Sequence, residues 1–245
     1  MNKYPTLAEL KSVVHSKEVS KNWSWNMWAY RKISVYITCL LIRTKITPNQ
    51  ITAFWISLGI IGCLLLIPGG YTFGLIGMVV YQIALLSDLL DGELARFKNL
   101  KDKNAYLKGA YLDIIGHYTH RGLIMTCMGL WAYNTYGDIW YLYAGFAATL
   151  GILLDNLYKL KKYEALCQYQ KFDEIKKYYS QNVERKKNKF VEFLHEILRP
   201  NNLSLVLWAG IFGFIDKLII VYAILLPLLA VRSLFGTLKS LNYVK

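Results

Sequence analysis

The sequence predicts an all-α integral membrane protein with six transmembrane helices and an N-terminal interfacial amphipathic helix. Of its 245 residues, 55% are hydrophobic, and the mean hydropathy of +0.27 is too apolar for an ordinary soluble domain. The apolar residues come in long blocks rather than in short periodic stripes, which is typical of membrane-spanning segments. Basic residues lie almost entirely between those blocks, so the charge distribution predicts the same topology as the hydropathy.

Residues 1–48 form the first predicted region, a cytoplasmic N-terminal segment that carries the interfacial helix. The first 30 residues are polar, charged and rich in Trp, without the apolar stretch of a cleavable signal peptide. Residues 33–42 are apolar but too short to span, and basic residues flank them. We therefore expect an amphipathic helix that lies in the membrane interface, behind a belt of aromatic residues.

Residues 49–240 form the second predicted region, a transmembrane domain with six nearly uncharged stretches. One external turn, at Pro68-Gly69-Gly70, joins the first and second stretches. Another, at Asn134-Thr135-Tyr136-Gly137-Asp138, joins the third and fourth. The fifth stretch is the shortest. The predicted spans are residues 49–67, 71–95, 109–134, 139–158, 202–214 and 218–231.

The basic residues fix the orientation of these spans. With both termini on one side, all but two of the 29 Lys and Arg residues lie on one face, and the exceptions are Arg121 and Lys217. By the positive-inside rule that face is cytoplasmic. Residues 159–201 form a basic cytoplasmic insertion, best interpreted as a solvated face attracted to anionic lipid. The net charge of +13 thus follows from topology, and no nucleic-acid partner is expected.

Acidic residues stand at the cytoplasmic ends of two neighbouring spans: Asp88 and Asp91 on the second, Asp113 with His117 on the third. A charge at membrane depth costs at least ~2.5–3.5 kcal/mol on insertion scales, so such residues are usually functional. Three converging carboxylates repel one another unless a divalent cation binds them, and oxygen ligands suit Mg²⁺, Mn²⁺ or Ca²⁺. A nearby histidine can remove a hydroxyl proton at neutral pH. The pattern predicts metal-assisted attack of an alcohol on a diphosphate.

Small and basic residues around the carboxylates suit a phosphate ligand. Gly92 removes a side chain beside Asp91 and so lets a ligand approach the backbone. Ala95 leaves room on the same helix face, and Arg96 supplies a planar donor for phosphate. Gly109, on the third span, either allows close approach of the second span or admits a ligand.

Other polar residues near this face carry weaker expectations. Arg121 either binds an anionic acceptor or pairs with a carboxylate. His120 is expected to be a packing residue, and Glu93 to face headgroups or water. Asp155 and Lys159, four residues apart, either form a surface pair or contact the acceptor.

Two motifs in this region resemble those of a known family. Asp-x-x-Asp-Gly-x-x-Ala-Arg followed by Gly-x-x-x-Asp resembles the signature of the CDP-alcohol phosphotransferases, also called CDP-alcohol phosphatidyltransferases. The segment Pro48-Asn49-Gln50-Ile51-Thr52 resembles the entry to the family's first span. The resemblance is specific over about residues 43–121. The first half of the aspartate signature comprises Asp88, Asp91, Gly92, Ala95 and Arg96, and its second half comprises Gly109 and Asp113.

The resemblance implies a membrane transferase that uses Mg²⁺ or Mn²⁺. A substituted phosphate group would pass from a CDP-alcohol, either CDP-diacylglycerol or a CDP-linked polar alcohol, to an acceptor alcohol with release of CMP, as in phospholipid or glycan head-group synthesis. It also implies a homodimer. Asp88, Asp91 and Asp113 would hold the metal. Nucleotide and diphosphate would be bound by Asp88, Gly92, Ala95, Arg96 and Gly109.

The chain departs from the family pattern at two points. His117 stands in place of the last motif aspartate, the presumed general base, and could serve as base itself or mark a changed acceptor. The stretch of twelve residues between Arg96 and Gly109 is longer than usual, which lengthens a cytoplasmic loop at the mouth of the site.

Two other functions compete with the transferase. A transporter or channel could use intramembrane carboxylates, although such sites usually lie near the midplane between repeats. A non-catalytic scaffold could bind a partner or anionic lipid through its basic insertion. We expect a multi-pass protein, in a prokaryotic plasma membrane, with its active site facing the cytoplasm.

Overall fold

The computed structural model describes residues 7–14, 25–98, 103–168 and 203–241, and the regular secondary structure in these ranges is entirely helical. The predicted all-α class is therefore confirmed for this part of the chain. In order, the helices are α1 (Leu7–Val14), α2 (Trp25–Leu41), α3 (Pro48–Leu64), α4 (Gly70–Lys98), α5 (Lys103–Tyr136), α6 (Trp140–Gln168), α7 (Leu203–Phe212) and α8 (Ile215–Leu241). Most of the predicted basic insertion, and the middle of the loop before Gly109, lie outside the described residues.

Each of the six predicted spans coincides with one of the helices α3 to α8. By length and composition, two helical segments are apolar enough to cross a membrane, Gly70–Lys98 and Ile215–Lys239. Helices α6 and α8 pack against each other along much of their length, and α3 packs against both α4 and α5. The parts of α4 and α5 that carry the acidic residues are thus supported from α3.

Helix α2 begins eight residues before the predicted interfacial helix. One face of it is buried and includes Val35, whereas Ile33, Tyr36 and Leu40 on the other face are exposed. It packs against α4, and α1 packs against it in turn. A small apolar cluster joins these helices to α3 and consists of Leu10, Val35, Ile42, Ile51, Leu90 and Leu94.

Helix α3 begins with a capping box, which fixes the start of the Pro-Asn-x-x-Thr segment. The Thr47 hydroxyl accepts a hydrogen bond from the Gln50 amide at 3.3 Å, and the Gln50 side chain accepts one from the Thr47 amide at 2.9 Å. The proline that follows Thr47 suits the first helical turn, where its missing N–H costs nothing. Lys98 then ties the end of α4 to the same loop by donating to the carbonyls of Thr44 and Ile46.

The two external turns lie together at the other end of the bundle. Gly70 and Gly137 have φ angles of 77° and 78°, which L side chains rarely adopt. The Gly70 amide donates to the Thr135 hydroxyl at 2.8 Å, so the first turn is fastened to the second. Eighteen residues of helix separate Gly70 from Asp88, about 27 Å. The acidic residues therefore lie at the opposite end of the helices from the turns.

Candidate active site

The structure brings Asp88 from α4 together with Asp113 and His117 from α5. His117 Nε2 lies 3.5 Å from Asp88 Oδ1 and 3.6 Å from Asp113 Oδ1. One ligand atom from each of the three residues lies within 4.8 Å of the others. On α5 the two residues are four apart and share a face, which is why a single helix presents both to α4.

These three side chains fit a divalent cation. One oxygen of the Asp88 carboxylate lies within 4.8 Å of one oxygen of the Asp113 carboxylate, an approach that a proton or a cation between them must offset. The Asp88, Asp113 and His117 side chains are 20%, 37% and 28% exposed, so the group is sheltered but reachable. Carboxylate oxygens are the ligands that Mg²⁺ and Mn²⁺ prefer, so the two aspartates suit such an ion better than the imidazole does.

Asp91 is held from helix α3. Its Oδ2 accepts hydrogen bonds from the Thr52 hydroxyl at 2.6 Å and from the Trp55 indole at 3.1 Å. Asp91 is not part of the three-residue group, although its charge interacts with those of Asp88 and Asp113. Its predicted role as a metal ligand thus stays a prediction.

Trp55 connects Asp91 to His117. The indole is completely buried, and its ring lies 5.2 Å from the His117 ring between centroids. Sequence reasoning noticed Thr52 only as part of a motif and missed Trp55. The available signal was their spacing, since residues three apart on a helix share a face. The spacing alone does not predict which helix packs against the face of α3 that carries Thr52 and Trp55.

His120 is a packing residue, as expected. Its Nε2 lies 2.9 Å from the Ile56 carbonyl oxygen, and its ring stands edge-on to Trp55 at 4.9 Å. A Cβ atom at Gly59 would overlap the ring, so that glycine makes the room for it. His120 thereby fixes α5 against α3 one turn from His117.

The small residues of the motif have different surroundings. Gly92 and Ala95 are partly exposed, and Arg96 is exposed. A Cβ at Gly92 would lie 3.5 Å from Arg96 Nη1, an ordinary contact, so the backbone there is open. A Cβ at Gly109 would lie 2.5 Å from Asn49 Oδ1. The close approach at Gly109 is therefore with the first span, and the expected approach to the second span is wrong.

Glu93 is the other correction to the sequence expectations. It is completely buried rather than facing headgroups or water, and it accepts hydrogen bonds at 2.7 Å from both Ser34 and Thr38 on α2. Arg31 Nη1 lies 3.5 Å from the same carboxylate. Burial lowers the pKa of Arg31, and the Glu93 charge opposes that shift. Glu93 therefore anchors α2 to the helix that carries Asp88.

Arg121 lies one turn beyond His117 on α5, and its charge interacts with that of Asp88. Its Nη1 donates to Asn156 Oδ1 on α6 at 2.9 Å. Further along α6, Lys159 Nζ lies 2.5 Å from Asp155 Oδ2, and the Lys159 side chain is half exposed. The expected pair of Asp155 with Lys159 is therefore present, and its alternative role in contacting the acceptor stays a prediction.

Comparison with known proteins identifies the family. A sequence model described as CDP-alcohol phosphatidyltransferase matches residues 45–175, more than half of the chain. A protein of Thermococcus kodakarensis named bifunctional IPC transferase and DIPP synthase is 34% identical over 125 residues. That match covers 50% of this chain and 25% of the relative, so the two proteins share only a part. The chain belongs to the CDP-alcohol phosphatidyltransferase family, whose members transfer substituted phosphate groups.

Proposed function

We propose that the protein is a metal-dependent membrane transferase that moves a substituted phosphate group from a CDP-alcohol to an acceptor alcohol and releases CMP. The observation that carries this proposal is the convergence of two carboxylates, Asp88 and Asp113, with a histidine beside them, His117, all within 4.8 Å and inside the matched region. Family membership supports a CDP-alcohol donor and an alcohol acceptor. The printed name of the Thermococcus relative supports head-group transfer.

In this proposal Asp88, Asp91 and Asp113 hold Mg²⁺ or Mn²⁺. A divalent ion bound there neutralises charge on the donor's diphosphate. Hydrogen bonds from Thr52 and Trp55 hold the Asp91 carboxylate in position for the metal ion. The nucleotide and the diphosphate bind over Gly92 and Ala95, with Arg96 donating to the phosphate oxygens and Gly109 in the same pocket.

His117 is the proposed general base. The acceptor hydroxyl oxygen attacks the phosphorus that carries the donor's alcohol, and the bond from that phosphorus to the bridging oxygen breaks. CMP leaves with the bridging oxygen, and the hydroxyl proton passes to His117. The carboxylates of Asp88 and Asp113, 3.5 Å and 3.6 Å from Nε2, stabilise the imidazolium that forms.

The proposed setting is a prokaryotic plasma membrane crossed six times, with residues 49–240 as the catalytic domain. Two apolar helices and the family support a membrane protein. Apolar side chains also point outward along α4 and α8, including Ile76, Ile83, Ile224 and Leu228. Because the basic residues and the acidic site share one end of the helices, the site faces the cytoplasm. A homodimer in contact with lipid completes the proposal.

The transporter and scaffold alternatives are less well supported. About 27 Å of helix separates Asp88 from the external turn at Gly70, close to the full ~30 Å thickness of a hydrocarbon core, whereas transporter sites usually lie near the midplane. A scaffold gains nothing from two carboxylates, Asp88 and Asp113, that lie close together at membrane depth.

The direct test is CMP release by the purified protein in detergent. A panel of CDP-alcohols and acceptor alcohols is offered with and without Mg²⁺ or Mn²⁺. We expect metal-dependent release that Asp113→Asn abolishes and that Asp138→Asn, a matched change at the external turn, leaves intact. Release that needs no metal, or that survives Asp113→Asn, would contradict the assignment. If the protein shows neither release nor metal-dependent CDP binding, it is not a transferase of this kind.

A further inference from the structure

Arg31 lies on α2, beside the helix that carries the acidic motif. Its Nη1 lies 3.5 Å from Glu93 Oε1, and its side chain is 14% exposed, whereas the Glu93 side chain is completely buried. The arginine therefore lies at the edge of the contact between α2 and α4, with part of it open to solvent. It takes no part in the proposed metal site.

The order of side chains around α4 places Arg31 next to the proposed diphosphate site. Successive residues of a helix are turned by about 100°, so Gly92 lies about 40° and Arg96 about 80° around α4 from Asp88. Glu93, the partner of Arg31, follows at about 140° in the same direction. Gly92 and Arg96 therefore make the surface of α4 between Asp88 and α2, and Arg31 borders that surface.

Charge interactions agree with this placement. The charge of Arg31 interacts with those of Glu93, Arg96 and Asp88. Two guanidinium groups from different helices thus lie near the same surface, and like charges that approach each other are unfavourable unless an anion accompanies them. Arg96 is exposed, so an anion from solvent can reach this surface.

Neutralising Glu93 does not fully account for Arg31. The two oxygens of the Glu93 carboxylate accept hydrogen bonds at 2.7 Å from Ser34 and Thr38. The contact of Arg31 with the same carboxylate is 3.5 Å long, whereas charge-assisted N–H···O bonds usually measure about 2.7–2.9 Å. The hydroxyl groups thus make the close contacts with Glu93. A salt bridge that served only to neutralise this carboxylate would be expected to be shorter.

A diphosphate is the ligand that suits this surface. A guanidinium can donate two parallel N–H groups to phosphate oxygens. At Gly92 the backbone is open, since a Cβ there would meet only Arg96 Nη1, at 3.5 Å. A metal ion beside Asp88 on one side and guanidinium groups on the other would together balance the negative charge of the donor.

We propose that Arg31 binds the diphosphate of the CDP-alcohol together with Arg96, so that α2 forms one wall of the donor site. Glu93 is then a positioning residue, because it holds Arg31 in place and directly follows Gly92 in the chain. This inference rests on the proposed transferase function. It gives α2 a direct part in donor binding, in addition to its packing against α4.

CDP binding tests the proposal without turnover. Calorimetry with CDP and Mn²⁺ is carried out on the wild-type protein, Arg31→Met and Lys32→Met in phosphatidylcholine nanodiscs. Lys32 is the matched control, since it is the exposed neighbour on α2 with the same charge. We expect Arg31→Met to weaken CDP binding about tenfold, the usual effect of losing one hydrogen bond to a charged group. Lys32→Met should leave it within about twofold, because exposed charges contribute little.

The affinity for cytidine distinguishes a phosphate contact from a general loss of structure. Cytidine has no phosphate, so its affinity, measured by displacement of CDP, should be the same in Arg31→Met and in the wild-type protein. Because Arg31→Met also leaves the buried Glu93 without its arginine, the double variant Arg31→Met/Glu93→Gln is compared with Glu93→Gln alone. The double variant should show the same loss of CDP affinity in a protein that no longer holds a buried carboxylate at this position.

The proposal is overturned if both variants that lack Arg31 bind CDP as tightly as their parents. It is also overturned if Arg31→Met weakens cytidine and CDP binding to the same extent. An interfacial arginine can bind lipid phosphate as well, so the titrations are repeated with phosphatidylglycerol in the nanodiscs. A loss of CDP affinity that appears only with this lipid would assign Arg31 to the lipid surface and likewise overturn the proposal.

The wild-type titration shows separately whether the transferase function stands. If the wild-type protein shows no metal-dependent CDP binding, the transferase function itself fails. If it binds CDP with Mn²⁺ and Arg31→Met does so equally well, only the role of Arg31 fails.

Discussion

The hydroxyl of Thr52 donates to Asp91 Oδ2 across 2.6 Å, and this bond joins α3 to the helix that carries the acidic motif. Trp55, one turn further along α3, donates to the same oxygen. Two donors on one carboxylate oxygen fix the rotamer of Asp91. Side chains that hold a metal ligand in place usually affect metal affinity almost as much as the ligands themselves.

We therefore predict that Thr52→Val weakens metal binding about tenfold, because such supporting contacts typically contribute 10- to 100-fold in affinity. Valine keeps the shape of threonine and removes the hydroxyl. The measurement is a Mn²⁺ titration of CMP release and of CDP binding. Ser57→Ala is the control, since Ser57 is exposed and its hydroxyl donates to Ala53 within α3. An unchanged Mn²⁺ requirement in Thr52→Val would show that Asp91 needs no support from α3.

Two simple rules are enough to predict from the sequence that Asp88, Asp113 and His117 lie close together. Residues four apart share a helix face, and the positive-inside rule places both helix ends at one surface. The contacts of Thr52 and Trp55 depend on the rotation of α3 against its neighbours. A uniformly apolar helix carries little periodic signal that could fix this rotation.

The environment of Glu93 could not be predicted for a related reason. Its hydrogen-bond donors, Ser34 and Thr38, lie 59 and 55 residues away on a different helix. From the sequence, a carboxylate next to the acidic motif and near the membrane surface is expected to face water. Burial becomes acceptable only because α2 supplies hydroxyl donors and Arg31, which compensate the charge.

Glu93→Ala should destabilise the protein strongly. The change leaves two buried hydroxyls and Arg31 without their carboxylate, and breaking a buried charged pair typically costs about 3–5 kcal/mol. Thermal unfolding in detergent measures the loss. Glu164→Ala is the control, because the exposed pair of Glu164 with Lys161 should contribute no more than about 1 kcal/mol. Equal effects of the two changes would mean that Glu93 does not anchor α2.

Metal ions should stabilise the folded protein. Without a cation the Asp88 and Asp113 carboxylates repel each other, and a bound ion adds about 2.7 kcal/mol when its concentration is one hundred times its Kd. We expect Mn²⁺ to raise the unfolding temperature and a chelator to reverse the rise. Asp88→Asn should abolish this response, whereas Asp138→Asn should keep it. If Mn²⁺ does not change the unfolding temperature of the wild-type protein, that result would argue against a metal site here.

His117→Ala should lower kcat about 10²- to 10⁴-fold, the range for loss of a general base. Mn²⁺ and CDP affinities should stay within about threefold of wild type if His117 is not a metal ligand, because supporting and direct ligands cost at least tenfold. His117→Asp introduces the residue that the resemblance predicts at this position and should recover part of the rate. If His117→Ala lowers Mn²⁺ affinity as much as Asp113→Asn does, then His117 binds the metal and is not the base.

Gly92→Ala should weaken donor binding while the fold is kept. A Cβ at Gly92 would lie 3.5 Å from Arg96 Nη1, and a Cβ at Gly122 would lie 3.5 Å from Leu153 Cδ2. Both additions fit the folded chain, and both replace a helical glycine, which is favourable by roughly 0.5–1 kcal/mol. The two variants should therefore be at least as stable as wild type. Gly92 differs because its open backbone is where we place the donor's diphosphate.

We expect the KM for the CDP-alcohol to rise about tenfold in Gly92→Ala and to stay unchanged in Gly122→Ala, because the added methyl group at Gly92 keeps the diphosphate from approaching the backbone. Thermal unfolding of the two variants measures the effect of the added methyl group on packing, and steady-state kinetics measure its effect on donor binding. If Gly92→Ala binds CDP as tightly as wild type, then the diphosphate does not lie over the backbone at Gly92.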